Sequence, residues 1–282
     1  MKIVRVETLG CRLNQIESES IARIFLEDSF DVKMNSTTSS SPENHDVCLC
    51  ILNTCAVTQK AEQKARRIIR LMLCKYPFAT IVVTGCYAQL SSEEISKIDE
   101  RICVVGGLIK SRLASVSQLL KNQIELNRFE PVYFAKFLDK KINNTKETKE
   151  GFAEDAFNLS TTSFISHSRA SIKIQDGCNS NCSYCAIHLA RGKSVSLDVQ
   201  TVLNRVLDLE RNNNNEVVIT TVNIAQYKGE YNGKYFNFSQ LLDFLLKNTT
   251  KISFRISSLY PQIVNDEFCR VISHERVRPH FH

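Results

Sequence analysis

The sequence lacks the segments that would direct a chain out of the cytosol. Its first residues, MKIVRVETLG, have no cationic region followed by a long apolar stretch, and no small-residue cleavage site follows them. No uninterrupted apolar run reaches the roughly 18 residues that a membrane-spanning helix needs. We therefore expect a cytoplasmic protein with no membrane partner.

The sequence also has little need of covalent cross-links. With 282 residues, 43% of them hydrophobic, it can bury the core of one large domain or of two smaller ones. Its 11 cysteines are therefore expected to be reduced thiols, as is usual in the cytosol. The net charge of +6 permits a nucleic-acid partner without requiring one.

Strand-like runs alternate with helical patterns through the first part of the chain. The strand-like runs are KIVRVETLG, DVCLCILNTC, TIVVTGCYAQ and ICVVGG, and the helical patterns are ESESIARIFLEDSF, QKAEQKARRIIRLMLCKYP and SSEEISKIDE. Such alternation is typical of βαβ units that form a parallel sheet covered by helices. We therefore predict an α/β fold in which residues 1–125 form an N-terminal parallel α/β sandwich domain.

A polar stretch separates this domain from a second alternation. Residues 135–163 are weakly periodic and predict a linker, placed at 126–162, with at most one extended piece. From Ser163 onward, strand-like and helical segments alternate again in the order SIKIQD, LDVQTVLNRVLDLE, EVVITTVNI, FSQLLDFLLKN, KISFRISSL and DEFCRVIS. A second α/β domain is therefore predicted over residues 163–282.

Three cysteines lie close together in the stretch GCNSNCSYC, directly after the strand SIKIQD. They are Cys178, Cys182 and Cys185. A structural zinc site usually takes four ligands, commonly from two separated pairs, and no second pair lies nearby in sequence. Three thiolates suit a [4Fe–4S] cluster whose fourth iron stays open for a substrate or cofactor. A zinc site completed by His188 or His167 is the alternative.

The stretch KIQDGCNSNCSYCAIHLARGKSVS resembles the cluster motif of the radical S-adenosylmethionine (SAM) methylthiotransferases. The resemblance implies that the three cysteines bind a [4Fe–4S] cluster, that SAM chelates its open iron, and that reductive cleavage of SAM gives a 5′-deoxyadenosyl radical. Tyr184 occupies a position that is commonly aromatic and is a candidate SAM contact. The pair Arg191–Gly192 matches the family motif, whereas His188 stands where relatives often carry proline.

The N-terminal half strengthens the resemblance through three further cysteines. Cys11, Cys55 and Cys86 lie in TLGCRLNQIESE, LNTCAVTQKAEQKARR and VTGCYAQ, each at or just beyond the end of a predicted strand. A parallel sheet would bring them to one edge, where ligands collect in α/β folds. The resemblance implies that they bind a second, auxiliary [4Fe–4S] cluster through which sulfur is delivered. Packing as small apolar residues suffices for the other five, Cys48, Cys50, Cys74, Cys103 and Cys269.

The sequence around the first cysteine also bears on the substrate. Leu-Asn-Gln after Cys11 is most similar to the enzymes that act on N6-threonylcarbamoyladenosine beside the tRNA anticodon. Another tRNA adenosine or a ribosomal-protein aspartate is the alternative substrate. The resemblance further implies a flavodoxin or ferredoxin-type electron donor and a second SAM that supplies the methyl group. Four basic residues of the following helix face either tRNA phosphate or only solvent: Lys60, Lys64, Arg66 and Arg67.

Other positions match the family less closely. Thr221 and Ala225 replace glycines at a strand end that lies near SAM in relatives. Arg255 and Ser257 match a segment on the SAM side of the relatives' barrel, and ordinary strand-end polarity explains them equally well. No side chain is identified as a general base.

The resemblance spans nearly the whole chain, but only two complete strands follow the cluster strand before PHFH. Relatives continue into the rest of a barrel and a small RNA-binding β-barrel. We therefore expect a C-terminally truncated protein that contains the first half of a radical SAM (β/α) partial barrel and lacks the RNA-binding module. A short form completed by another chain, and a non-catalytic metal- or nucleic-acid-binding fragment, are the alternatives.

Overall fold

The structure is a computed structural model that describes residues 2–56, 58–144, 152–166 and 169–281. The strands of the N-terminal half are β1 (Ile3–Thr8), β2 (Asp31–Lys33), β3 (Val47–Thr54), β4 (Thr80–Gly85) and β5 (Ile102–Gly106). Its helices are α1 (Arg12–Glu27), α2 (Gln59–Lys75), α3 (Cys86–Leu90), α4 (Ser92–Ser96), α5 (Val116–Glu125) and α6 (Pro131–Ile142), with a 3₁₀ segment at Gly107–Ser115.

The C-terminal half has shorter elements. Its strands are β6 (Ala170–Lys173), β7 (Gln175–Asp176), β8 (Val195–Ser196), β9 (Glu216–Thr220), β10 (Gly229–Tyr231), β11 (Lys234–Phe236) and β12 (Ser253–Ile256). Its helices are α7 (Ile187–Arg191), α8 (Val199–Arg211), α9 (Phe238–Asn248) and α10 (Asp266–Ile272), with 3₁₀ turns at Ile224–Gln226 and Pro261–Ile263. Among the described residues, no helix combines the length and the apolar character needed to cross a bilayer.

The N-terminal module, residues 2–142, is a parallel sheet with helices on both faces. Its strand order is β2-β1-β3-β4-β5, and every neighbouring pair is parallel. All of β3 is buried, which explains its continuous apolar sequence. Leu49 and Ile51 face a core shared with α1, α5 and α6, while Cys50 and Leu52 face a second core shared with α2. This three-layer arrangement confirms the predicted α/β fold class.

The C-terminal module, residues 170–281, contains a second parallel sheet with the order β12-β9-β6. A helix follows each strand, in the pattern of a (β/α) barrel wall. Val199, Val206 and Leu245 are among the buried residues through which α8 and α9 pack against the sheet. Beyond β12, a parallel bridge joins Phe254 to Val277. The predicted partial barrel is therefore present as three neighbouring strands and their helices.

The first part of the predicted linker is helical. The stretch expected to be weakly structured contains α6, whose first residue is Pro131 and whose N-terminal amides bind the side chain of Glu130. Phe134, Leu138 and Ile142 are buried against the N-terminal sheet. Their spacing puts one apolar face on the core, so this part of the chain belongs to the N-terminal module. The rest of the predicted linker includes residues 145–151, which lie outside the described residues.

Candidate functional site

Cys11, Cys55 and Cys86 meet at the carboxyl edge of the N-terminal sheet. Thr8 of β1 pairs with Asn53 of β3, and Thr54 pairs with Gly85 of β4, so the three strands end side by side. All three cysteines line a single cavity of about 610 Å³. The expectation that a parallel sheet brings these thiols to one edge agrees with this placement, and their role as cluster ligands stays a prediction.

Gly10 makes the close approach of two of these thiols possible. Its φ of +105° is in the region that favours glycine. A Cβ atom at this position would lie 2.5 Å from Cys55 Cβ and 2.8 Å from Cys55 Sγ. The chain therefore turns sharply after β1, with Gly10 against Cys55, and places Cys11 at the start of α1.

The opposite wall of the cavity comes from the C-terminal module. It is formed at the ends of β9 and β12 by Val218, Thr220, Thr221, Val222, Arg255, Ile256, Ser257 and Ser258. The hydroxyl oxygens of Thr220 and Thr221 are buried and have no hydrogen-bond partner in the structure. Because buried hydroxyls normally find a partner, these two atoms mark a place for a polar ligand. The cysteine edge of one module thus opens onto the strand ends of the other.

Only some of the residues predicted to lie near SAM line the cavity. Ser257 and Thr221 line the cavity, whereas Ala225 lies on an exposed turn after β9. Arg255 also lines the cavity, but its Nε donates a hydrogen bond to Glu216 Oε1 over 3.1 Å. Glu216 is shared, because Arg169 and Arg278 also pair with its carboxylate.

The loop that carries Cys178, Cys182 and Cys185 lies between β7 and α7. The Cys178 amide donates to the Gly192 carbonyl over 3.0 Å, and the Cys185 amide donates to the Cys182 carbonyl over 3.0 Å. The Cys178 sulfur accepts hydrogen bonds from the Ser180 amide and from Gln226 Nε2, each at 3.5 Å. Donors aimed at a sulfur stabilise a thiolate, which is the form that binds metals.

These three cysteines are not part of the cavity's lining, whereas Ile187 and Arg191 of the following helix are. Burial raises the pKa of Tyr260, and the nearby Cys178 and Cys185 thiols raise it further, so this phenol lies close to the cysteine loop. Tyr184, the candidate SAM contact, is 90% exposed.

No group of three or more His, Cys, Asp or Glu within the described ranges is spaced to hold a single metal ion. The thiolates of a [4Fe–4S] cluster bind separate irons and do not converge on one point. Of the two histidines considered as fourth zinc ligands, His188 lies in α7, and its Nδ1 is buried without a hydrogen-bond partner. His167 lies outside the described residues.

The sequence did not reveal a group of buried charges between the two modules. This buried charge cluster consists of Glu17, Lys110, Lys173, Asp176 and Arg191. Lys173 Nζ lies 2.9 Å from both Glu17 Oε1 and Asp176 Oδ2, and Lys110 Nζ lies 2.6 Å from Glu17 Oε1. The one available signal is Glu17, an acidic residue among the buried positions of α1.

Asn14, three residues after Cys11, was also missed as a site residue. Its Nδ2 donates to the Leu9 carbonyl over 3.0 Å and to the Thr54 carbonyl over 2.9 Å. It therefore ties together the two strand ends that precede Cys11 and Cys55. Asn14 is the central residue of the Leu-Asn-Gln sequence after Cys11, and these hydrogen bonds explain why an asparagine suits this position.

The other five cysteines fall into two classes. Cys48, Cys50 and Cys103 are buried in the N-terminal cores. Burial raises the pKa of Cys48 and of Cys103 to about 12 and also raises that of Cys50, so these thiols stay protonated. Cys74 and Cys269 are exposed, and the expectation that they pack as small apolar residues was wrong.

Two comparisons of the sequence with known proteins gave matches. Residues 3–107 match the family described as Uncharacterized protein family UPF0004. The chain is 40% identical to the threonylcarbamoyladenosine tRNA methylthiotransferase MtaB of Treponema pallidum, over 99% of this chain and 64% of the relative. It is 30% identical to the MtaB of Aquifex aeolicus, over 99% of this chain and 62% of the relative. The chain thus spans less than two thirds of either relative.

The fold also has relatives among solved structures. The chain is similar to the radical S-adenosylmethionine methyltransferase TsrM from Kitasatospora setae, solved with cobalamin and a [4Fe–4S] cluster bound. The TM-score is 0.52 at 13% identity, and the match covers 97% of this chain and 57% of TsrM. At this identity the likeness concerns the fold alone.

Proposed function

We propose that this chain is a radical SAM methylthiotransferase, as its similarity to MtaB indicates, and that it adds a methylthio group to C2 of N6-threonylcarbamoyladenosine beside the tRNA anticodon. Two similar relatives carry the corresponding name. The proposed substrate is tRNA, and the proposed cofactors are two [4Fe–4S] clusters and SAM. A flavodoxin or ferredoxin-type protein would supply the electron.

The observation that carries this proposal is the shared cavity. Its one wall holds Cys11, Cys55 and Cys86, and its other wall is formed by the strand ends of the partial barrel. Sulfur transfer to an activated carbon requires the sulfur donor and the activated substrate to meet in one enclosed space. A cavity between the two modules provides that space.

The residues present fit the proposed clusters. Three thiols at one edge form a soft donor set of the kind that iron–sulfur clusters prefer. The Cys178 sulfur already receives two hydrogen bonds from N–H donors, which is the environment of a ligating thiolate. When bound, the clusters and SAM supply the one-electron and sulfur chemistry that no side chain of this chain provides.

The chain's own side chains would orient the substrate and exclude water. Thr220, Thr221 and Ser257 offer hydroxyls that can bind a polar ligand in the cavity. Val218, Ile256 and Ile187 give it an apolar lining that keeps solvent from a reactive intermediate. In this proposal Arg255 forms part of the wall, and its hydrogen bond to Glu216 fixes its position.

The test is to express the chain in a strain whose tRNA lacks the 2-methylthio mark and to analyse its nucleosides by mass spectrometry. We expect the 2-methylthio nucleoside to appear with the natural chain and with C74A/C269A, which alters two exposed cysteines outside the site. It should be absent with C178A/C182A/C185A. A methylthio group found on a ribosomal-protein aspartate instead, or no mark at all, would contradict the proposed substrate.

A further inference from the structure

Arg191 occupies the centre of the contact between the two cysteine sites. It is the last residue of α7, the helix that follows the loop with Cys178, Cys182 and Cys185 (the Cys178 loop). Only 3% of Arg191 is exposed. Its Nη1 donates to both oxygens of Asp176, over 2.9 and 3.1 Å. Its Nη2 donates to Asn14 Oδ1 over 2.5 Å and lies 3.9 Å from the Cys11 sulfur. One side chain therefore bridges the C-terminal and N-terminal modules.

Each partner of Arg191 anchors a different cysteine segment. Asp176 Oδ1 accepts a hydrogen bond from the Gly177 amide over 2.8 Å, which fixes the turn that precedes Cys178. Asn14 holds the strand ends that precede Cys11 and Cys55, as described above. A planar guanidinium with donors on two sides matches this arrangement, and a single ammonium does not. The hydrogen bonds of Arg191, together with the ion pair between Lys173 and Glu17, thus link the segments that carry the two cysteine sites.

The charges of the buried charge cluster do not balance within it. Three basic side chains meet two carboxylates there, and all five are buried. Buried charges need a partner of opposite sign. The side of the guanidinium that faces away from the carboxylates faces the Cys11 sulfur, where a cluster with thiolate ligands would supply negative charge.

We propose that Arg191 is a positioning residue that holds the Cys11 site and the Cys178 loop in register and supplies positive charge to the auxiliary cluster. The inference rests on the proposed function, because it requires that Cys11 binds such a cluster. Reduction adds a negative charge to a cluster, so a nearby guanidinium favours the reduced form and raises the midpoint potential. Loss of Arg191 should therefore lower that potential.

The experiment uses the full chain carrying C178A/C182A/C185A, so that only the auxiliary cluster contributes a signal. Into this parent we introduce R191Q, R191K or R205Q. R191Q leaves two basic and two acidic groups in the buried charge cluster, so the remaining charges balance. R191K keeps the charge and loses the fork. Arg205 is the matched control, because it is a half-buried arginine whose Nη2 binds the Phe157 carbonyl rather than a cysteine segment.

After anaerobic reconstitution, iron content and the midpoint potential are measured by chemical assay and by titration monitored with electron paramagnetic resonance. We expect a lower potential or a loss of auxiliary iron in R191Q, a potential closer to the parent in R191K, and parental values in R205Q. Full iron content and an unchanged midpoint potential in R191Q would overturn the proposed role of Arg191 but not the proposed function. A parent that takes up no iron and sulfide would overturn the proposed function and this inference together.

Discussion

At the scale of single residues, the environment of each thiol separates candidate ligands from core residues. Cys48 and Cys103 are desolvated among apolar neighbours, and their pKa values of about 12 keep them protonated. Cys11 lies at the N-terminus of α1, where the helix dipole favours an anion, and it is exposed to the cavity. Cysteine therefore packs in the core at some positions and is a candidate cluster ligand at others.

Substitution of Gly10 by alanine should disable the auxiliary site alone. The new Cβ would collide with Cys55, and its positive φ would cost about 1 kcal/mol or more in addition. We expect loss of the auxiliary iron with the cluster of the Cys178 loop retained, measured as iron and sulfide per chain after anaerobic reconstitution.

Gly233→Ala is the control for Gly10→Ala. Gly233 also has a positive φ, +76°, but nothing lies within 4 Å of its Cβ position. This variant should keep its full iron content, because it carries the backbone cost without the collision. Equal iron content in the two variants would contradict the steric role of Gly10.

Glu17 should make the stability of the apo chain depend on pH in a defined window. Burial would raise its pKa, but Lys110, Lys173 and Arg191 lower it to about 2 from an ordinary value of 4.5. Because the pKa is lowered on folding, the stabilisation is complete above pH 4.5 and is lost as the pH falls toward 2. The lowered pKa of Glu17 corresponds to a contribution on the order of 3 kcal/mol to the free energy of unfolding.

Urea unfolding of the natural chain, E17Q and E100Q checks this dependence. The natural chain should have a higher free energy of unfolding than E17Q. This difference should be largest at pH 7 and should be smaller at pH 3. Glu100 pairs with Lys136 on the surface, with 75% of its side chain exposed, so E100Q should have little effect at either pH. An advantage over E17Q that is the same at both pH values would show that the buried charges do not act on Glu17 as described.

At the scale of elements, periodicity predicted most strands and helices because each has one clear pattern. The pattern FSQLLDFLLKN was assigned to a helix, and α9 spans those residues (Phe238–Asn248). α6 was missed since charged residues surround its apolar positions, although Pro131 after Glu130 is a recognisable helix start. The hairpin β10–β11 was also missed, and its signal was the Asn232-Gly233 pair, both with positive φ.

The exposed face of α2 should bind tRNA phosphate. Lys60, Lys64 and Arg67 are exposed at helical spacing on this element. Arg66, which the sequence placed with them, instead donates to the Tyr87 hydroxyl over 2.8 Å and pairs with Glu94. We expect K60Q/K64Q/R67Q to weaken tRNA binding by about tenfold and to reduce the slope of log affinity against log salt by about 3.

K136Q/K140Q/K141Q provides a control with the same change in charge. These three lysines are exposed on α6, which packs on the opposite face of the N-terminal sheet from α2. Filter binding or fluorescence anisotropy at several salt concentrations measures both variants. Equal losses in the two variants would indicate nonspecific attraction, and the α2 face would then have no special role.

At the scale of the whole molecule, the site depends on contacts that no local pattern encodes. The cysteine motifs and the strand ends were visible in the sequence, and their convergence follows from the parallel sheet. The buried charge cluster was not visible, because its members lie as far apart in sequence as Glu17 and Arg191. The packing of α1 and of the 3₁₀ segment Gly107–Ser115 against the second module brings them together, so this part of the site depends on tertiary structure.

We propose that two cysteine triads of this chain each hold an iron–sulfur cluster. The iron and sulfide content is measured after anaerobic reconstitution of the natural chain, C11A/C55A/C86A and C178A/C182A/C185A. We expect about eight irons for the natural chain and about four for each triple variant. Zinc bound in place of iron and sulfide, or an iron content that either triple variant leaves unchanged, would contradict it.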